Sequence, residues 1–272
     1  MLFLSFTDIY VCIRKTDIMT LAEEYEQQNK WRNWASYLRE LPIRHTHVIL
    51  DLGCGTGEVT RLLGERCLQV IGVDQNPELL QFARNNNKLS NVDFIDWDLT
   101  QSLKIKLPKV DGIWCSFTAA YFPDFKPVLL NWIQQLKPDG WIAIVEIDNL
   151  FGHHPLKTET EAIFKAHYKK LYNQNIYDFE MGSKLYKHLV YNDLTVIFNQ
   201  DMNDPELAFN GPADDQVICA WQNRFDRMTG LQRTIGINQF ICIKEDFLSC
   251  LNNANHYCSA SVKYLIAKHK NS

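Results

Sequence analysis

The sequence predicts an α/β protein, a doubly wound, mostly parallel seven-stranded sheet with helical lid insertions. Three observations predict it. Short apolar runs alternate with helical patterns up to about residue 150. Those runs are continuous, as in strands buried on both faces. The first of them leads straight into a glycine-rich turn, Gly53-Cys54-Gly55-Thr56-Gly57.

The elements follow in order. Residues 20 to 41 place Leu21, Tyr25, Trp31, Trp34, Tyr37, Leu38 and Leu41 near helical spacing, and Pro42 ends the run. Residues 48 to 52 are the first strand, and a helix begins at Glu58. Residues 69 to 73 form the second strand. Its helix has Asn76 as cap and Pro77 in the first helical position. Strands three, four and five are expected at 92–95, 112–116 and 141–147. A helix at 129–136 and the turn Lys137-Pro138-Asp139-Gly140 precede the last of these. The second half reads as a helical stretch at 158–191, a strand at 194–198, a helix at 214–230, a short helix at 245–251 and a final strand at 259–267. One domain is expected over 19–272, with a core at about 45–150 plus the C-terminal strands and insertions at about 155–191 and 203–252. Residues 1 to 18 are expected to be a poorly ordered extension or a misassigned start, because Met19 opens a better helix.

Composition narrows the class. With 46% hydrophobic and 22% charged residues the chain is an ordinary globular protein. A net charge of −4 is not that of a general nucleic-acid binder. No apolar run approaches the ~20 residues that a membrane span needs, and the opening Met1–Thr7 stretch is too short and lacks the basic lead of a signal peptide. The eight cysteines sit mostly in apolar runs with no Cys-x-x-Cys pair, so buried reduced thiols are expected, without a metal site. These features point to a cytoplasmic protein.

Gly53, Gly55 and Gly57 at the end of a first strand let backbone approach a ligand at positive φ, beneath a helix N-terminus that presents free N–H groups. Asp74, at the end of the second strand, is placed to accept both hydroxyls of a ribose. A dinucleotide site fits poorly. Glu58 stands where the Gly-x-Gly-x-x-Gly pattern has its third glycine, and Asp51 adds negative charge against a diphosphate. No Gly-Lys-Ser or Gly-Lys-Thr follows, so the turn is not a P-loop. What suits it is an adenosine with a cationic or zwitterionic tail, as in S-adenosylmethionine. Cys54 reads as small filler of the turn, and Asp51 as either a ligand contact or a support for it.

Val48–Thr60 resembles the first motif of the class I S-adenosylmethionine-dependent methyltransferases of the small-molecule type, an acid, one residue, then Gly-x-Gly-x-Gly. The resemblance covers about residues 45 to 150 and implies a Rossmann-like methyltransferase fold with S-adenosylmethionine as cofactor. It makes Asp74, with Gln75 beside it, the ribose-binding acid. It places Asp98 at the adenine amino group next to Trp97, with Asp96 as competitor. Ser116, in Trp114-Cys115-Ser116, falls under the methionine moiety. Tyr25 and Trp31 lie in a segment similar to the helix that closes over the cofactor.

The acceptor site is then expected beyond strands four and five, at Phe117, Tyr121 and Phe122. Glu146, Asp148, His153 and His154 are nearby. The two histidines are the candidate general bases, because imidazole titrates near neutrality, although they also fit an exposed loop before Pro155. Trp221, Arg224 and Arg227 lie on one long helix, where Trp221 reads as core and an arginine is open to an acidic substrate or to solvent. The sequence after strand four lacks the Asn/Asp-Pro-Pro-Tyr of amino-methylating DNA enzymes, and the acidic balance disfavours bulk RNA. A small-molecule acceptor is therefore expected, handled by a monomer or homodimer without DNA or membrane. An RNA or protein methyltransferase, and a cofactor-binding module without turnover, are the alternatives.

Overall fold

The computed structural model describes residues 19–105 and 107–269, so the expected N-terminal extension lies outside the described residues. Helix α1 (Leu21–Trp31) starts at a capping box in which Thr20 and Glu23 each bond the other's backbone. The run expected to reach residue 41 breaks at Arg32, and Asn33 caps a separate helix, α2 (Trp34–Arg39). The strand–helix alternation then proceeds through β1 (Val48–Leu52), α3 (Glu58–Gly64), β2 (Gln69–Asp74), α4 (Pro77–Asn86), β3 (Val92–Asp96), β4 (Val110–Ser116), α5 (Phe125–Ile133) and β5 (Leu136–Asp148).

Two boundaries differ from expectation for physical reasons. Helix α5 starts at Phe125 rather than 129, because Pro127 falls in its first turn, where a missing N–H costs nothing. Its buried stripe is Phe125, Val128, Leu129, Trp132 and Ile133. The turn expected at 137–140 lies within β5. There Asp139 takes φ +64°, and the pairing with β4 shifts between Val110 and Gly112.

The second half contains β6 (His153–His154), α6 (Thr158–Asn173), α7 (Met181–Tyr191), β7 (Leu194–Met202), α8 (Asp215–Arg227), α9 (Thr229–Ile235), α10 (Ile237–Leu251), β8 (Tyr257–Cys258) and β9 (Ser261–His269). The single helical stretch expected at 158–191 is two helices, separated where Asn175 adopts φ +56°. Likewise 214–230 is divided between α8 and α9. Helix α10 is twice the expected length, since Phe240, Ile243, Phe247, Cys250 and Leu251 form one buried stripe.

Seven strands form one sheet in the order β3-β2-β1-β4-β5-β9-β7, in which β9 runs against both neighbours. Strands β6 and β8 pair separately. Adjacent residues of each strand serve opposite faces: Ile49, Trp114, Val145 and Tyr264 pack with α2, α3, α6, α8 and α10, whereas Leu50, Ile113, Ile144 and Leu265 pack with α5 and α7. The strand order reverses between β1 and β4, so the sheet opens a crevice at their carboxyl ends. No described helix is long and apolar enough to cross a membrane. Cys54, Cys67, Cys115 and Cys250 are buried, as expected. Cys219 and Cys242 are exposed on outward helix faces, unlike the buried thiols expected.

Candidate functional site

The crevice is built on the turn after β1. Gly53, Gly55 and Gly57 have φ of 75°, 53° and 81°. A β-carbon at Gly53 would stand 2.0 Å from the Thr118 hydroxyl, and one at Gly57 would be 2.8 Å from the Phe94 ring. The turn is tied to β2: Gly53 and Cys54 N–H both donate to the Val73 carbonyl. Asp74 then spans two loops, accepting from the Gly55 N–H through Oδ2 and from the Asn76 N–H through Oδ1, each at 2.9 Å. Each carboxylate oxygen keeps a lone pair for a ligand.

Asp51 stands behind this turn rather than in it. It is 1% exposed and accepts from the Thr60 hydroxyl at 2.6 Å, bracing the start of α3. Burial raises its pKa to about 7, against the Thr60 hydrogen bond and with help from nearby Asp74. Cys54 is buried with its thiol pKa raised by burial, so it is packing and not a nucleophile. Glu58 shares its charge with Arg61, Nη2 to Oε1 2.9 Å, and so repels an anion less than the sequence implies.

Asp98 lies past β3, where its Oδ1 accepts from the N–H and hydroxyl of Thr100. These bonds hold its carboxyl below the usual range. The Trp97 N–H donates to the Asp74 carbonyl, which links the two acidic segments. Gln75 is exposed, and Ser116 is reached by the Trp114 indole at 3.3 Å.

Helix α1 covers the turn. The Tyr25 ring packs over Gly55, its nearest carbon 3.6 Å from where a β-carbon would be, and only that ring bounds the space. Asn29 donates to the Thr56 hydroxyl at 3.2 Å. Trp31 goes elsewhere: its indole donates to Gln216 on α8, on the outer side of the helix.

Across the crevice, Phe117 has φ +52° and lies beneath the Arg32 guanidinium at 4.6 Å. Tyr121 meets Tyr177 edge-on at 4.9 Å and is largely exposed, whereas Phe122 turns back onto Trp132. The short turn Ala119–Tyr121 that carries Tyr121 is held by Glu146. This carboxylate is 0% exposed and accepts from the Ala120 and Ile147 N–H groups. Burial raises the pKa of Glu146 to about 7, opposed by those backbone bonds. Asp148 accepts from the Ser183 N–H at the start of α7.

The histidines are not in an exposed loop. His153 is 0% exposed on β6, packed against Trp221, Phe247 and Phe209, with Nδ1 2.9 Å from Nε2 of His256. His256 bonds the Gly211 carbonyl through Nδ1, so His256 must donate there and His153 must donate to His256. Burial pushes the pKa of His153 down to about 3, reinforced by His256 and Arg224. A group so placed cannot collect a proton from an acceptor. His154 is held by Ser259 and Glu161 on the far side of the short β6–β8 sheet.

Sequence reasoning did not find the ionic lock above the crevice. Arg32 bonds Asp204 at 2.8 Å and Glu206 at 3.0 Å, and Arg224 bonds Glu206 at 2.6 Å. These partners are 18 to 174 residues apart, and no local pattern marks them.

The backbone exposed at Gly55 beneath Tyr25 and the free lone pairs of Asp74 together fit an adenosine-type cofactor. Comparison with known proteins agrees. The family described as "Methyltransferase domain" matches residues 43–209. A malonyl-[acyl-carrier protein] O-methyltransferase of Acetivibrio thermocellus is 30% identical over 128 residues, 46% of this chain and 43% of that protein. A trans-aconitate 2-methyltransferase of an Azoarcus species is 35% identical over 109 residues, 39% of this chain and 42% of that protein. The chain thus matches less than half the length of either relative. Among solved structures, a Bacillus halodurans protein described as a methyltransferase superposes with a TM-score of 0.60 at 16% identity, over 88% of this chain and 99% of that one. With that family matched over more than half of the chain, the chain belongs to the methyltransferase-domain family.

Proposed function

We propose that the protein transfers a methyl group from S-adenosylmethionine to a small-molecule acceptor in the cytoplasm. The observation that carries this reading is Asp74, fixed by Gly55 and Asn76 with one lone pair free on each oxygen. In this reading Asp74 binds the ribose hydroxyls, Asp98 the adenine amino group, and Tyr25 closes over the turn at Gly55. Gln75, Trp97 and Ser116 line the same groove, with Asp51 as the brace behind it. The bound cofactor supplies an electrophilic methyl group.

The chain's own contribution is then orientation. No histidine stands at the mouth to act as base, so the acceptor arrives already nucleophilic, and positioning supplies up to roughly 7–11 kcal/mol of the barrier. Phe117 and Tyr121 form the acceptor side of the crevice, under α1 and α8. The helical cover and the net charge of −4 favour a metabolite over bulk RNA. The relatives are named for malonyl-[acyl-carrier protein] and trans-aconitate, neither of them a nucleic acid. The buried thiols Cys54, Cys67, Cys115 and Cys250 are in keeping with a reducing compartment.

Calorimetry with S-adenosylhomocysteine, S-adenosylmethionine and NAD tests the reading. The two sulfur ligands should bind and NAD should not. Asp74→Ala should bind the sulfur ligands at least tenfold more weakly, since each hydrogen bond to a charged group contributes about 1.5–3 kcal/mol. Unchanged affinity in that variant would refute the assignment of Asp74.

A further inference from the structure

Arg224 lies on α8 one turn after buried Trp221, and its guanidinium carbon sits 4.5 Å over the Trp221 ring. Nη2 donates to Glu206 Oε1 at 2.6 Å. The guanidinium is therefore fixed on one face by an aromatic ring and at one nitrogen by a carboxylate. Its other terminal nitrogen, Nη1, is sealed from solvent and has no hydrogen-bond partner among the described residues. A buried N–H of a charged group left unpaired is costly, about 1–3 kcal/mol or more.

The nearby anions cannot turn to serve it. Glu206 Oε1 already accepts from Gln28 as well as Arg224, and Oε2 accepts from Arg32. Asp204 gives Oδ2 to Arg32 and Oδ1 to the N–H groups of Glu206 and Leu207. Tyr25, Tyr121 and Tyr177, near Arg224 on the crevice side, are none of them anions at neutral pH. Arg32, which shares Glu206 with Arg224, lies 4.6 Å over Phe117, so this unsatisfied donor stands beside the acceptor side of the crevice.

We propose that Arg224 anchors a carboxylate of the methyl acceptor, which makes that acceptor a small organic acid. The inference rests on the methyltransferase reading and deepens it by naming a substrate class. A carboxylate matches a single planar guanidinium edge within a ring of phenols. A phosphate dianion would need further donors, and the other guanidiniums near Tyr25 are engaged, Arg32 by Asp204 and Glu206 and Arg227 by Glu24. A sulfonium bound nearby adds positive charge and favours an anion over a neutral carbonyl. The carboxylate is the handle, and the methyl goes to another atom of the same molecule.

Calorimetry on protein saturated with S-adenosylhomocysteine decides the matter. The probes are benzoate, phenylacetate and 3-phenylpropionate, each against its primary amide, with inorganic phosphate as a further anion. At least one acid should bind about tenfold or more tightly than its amide. That preference should shrink to within twofold in Arg224→Gln and survive in part in Arg224→Lys. S-adenosylhomocysteine affinity should stay within twofold of wild type in both. If no acid exceeds its amide, or if phosphate binds better than every acid, the assignment is overturned. A preference that persists undiminished in both variants overturns it as well. Failure of wild type to bind S-adenosylhomocysteine would instead remove the underlying reading, so the two failures are distinguishable. Thermal unfolding of each variant shows whether it folds, and the wild-type comparison holds even if Arg224→Gln does not.

Discussion

Gly53 tolerates a side chain less than any other residue of the turn. Its φ of +75° costs an alanine about 1–3 kcal/mol, and the added carbon would overlap Thr118. Gly53→Ala should therefore fold with a lowered melting temperature and bind S-adenosylhomocysteine at least tenfold more weakly by calorimetry. Normal affinity would show that the turn can shift without harm. Glycine and acid positions such as Gly53 and Asp74 are legible in sequence because backbone geometry dictates the residue type over a few neighbours. His153 is not legible in that way. Its environment is made by Phe209, Trp221, Phe247 and His256, all distant in the chain, so a loop base and a buried packing residue look alike until the second half folds over it.

Helix α1 shows both what a local pattern reveals and what it hides. Its periodicity and its cap are visible in sequence. The attachment that holds it is not, because Arg32 reaches Asp204 and Glu206, and Gln28 reaches Glu206 as well. The breaks at Arg32 and at Asn175 carry only weak local signals, an asparagine cap at Asn33 and an asparagine in the left-handed region at 175, rather than a proline or glycine. Removing one partner from a buried ion pair costs about 3–5 kcal/mol, mainly by stranding the other charge. At the edge of the fold this loss should free α1 rather than unfold the sheet. Arg32→Ala is expected to speed amide exchange across residues 21–31 and to weaken S-adenosylhomocysteine binding, with exchange in β1 and β4 unchanged. The exposed Arg39→Ala is the control. Equal protection of α1 in the two variants would mean that the ion pairs do not hold it.

Over the whole molecule, buried titratable groups oppose one another across pH. Asp51 and Glu146 have folded pKa values raised by burial to about 7, so their contribution to stability is complete at low pH and is lost as pH rises through 7. The histidines run the other way. His153 is pushed down to about 3, and His47, His167, His188 and His256 are lowered too, each mainly by burial. Their contribution is complete above their unfolded pKa near 6.5 and is lost as pH falls toward the folded values. Near pH 7 the two sets roughly offset, because the folded chain gains carboxyl protons while the unfolded chain gains imidazole protons. Below pH 6 both carboxyls stay protonated in the fold while the unfolded chain keeps them ionised down to about pH 4, so they continue to oppose the histidines. His153 alone can contribute up to about 1.4 kcal/mol per pH unit. Stability from urea titration should thus vary less between pH 7 and 4 than either set alone would make it. His153→Asn offers an amide N–H in place of Nδ1–H, keeping a donor for His256 while removing the titrating group. It should be less stable than wild type at pH 7, through lost ring packing, yet gain on wild type as pH falls from 6 to 4. An unchanged slope would show that His153 is protonated in the folded protein as readily as in the unfolded chain, and the buried His153–His256 hydrogen bond would then have no part in acid sensitivity.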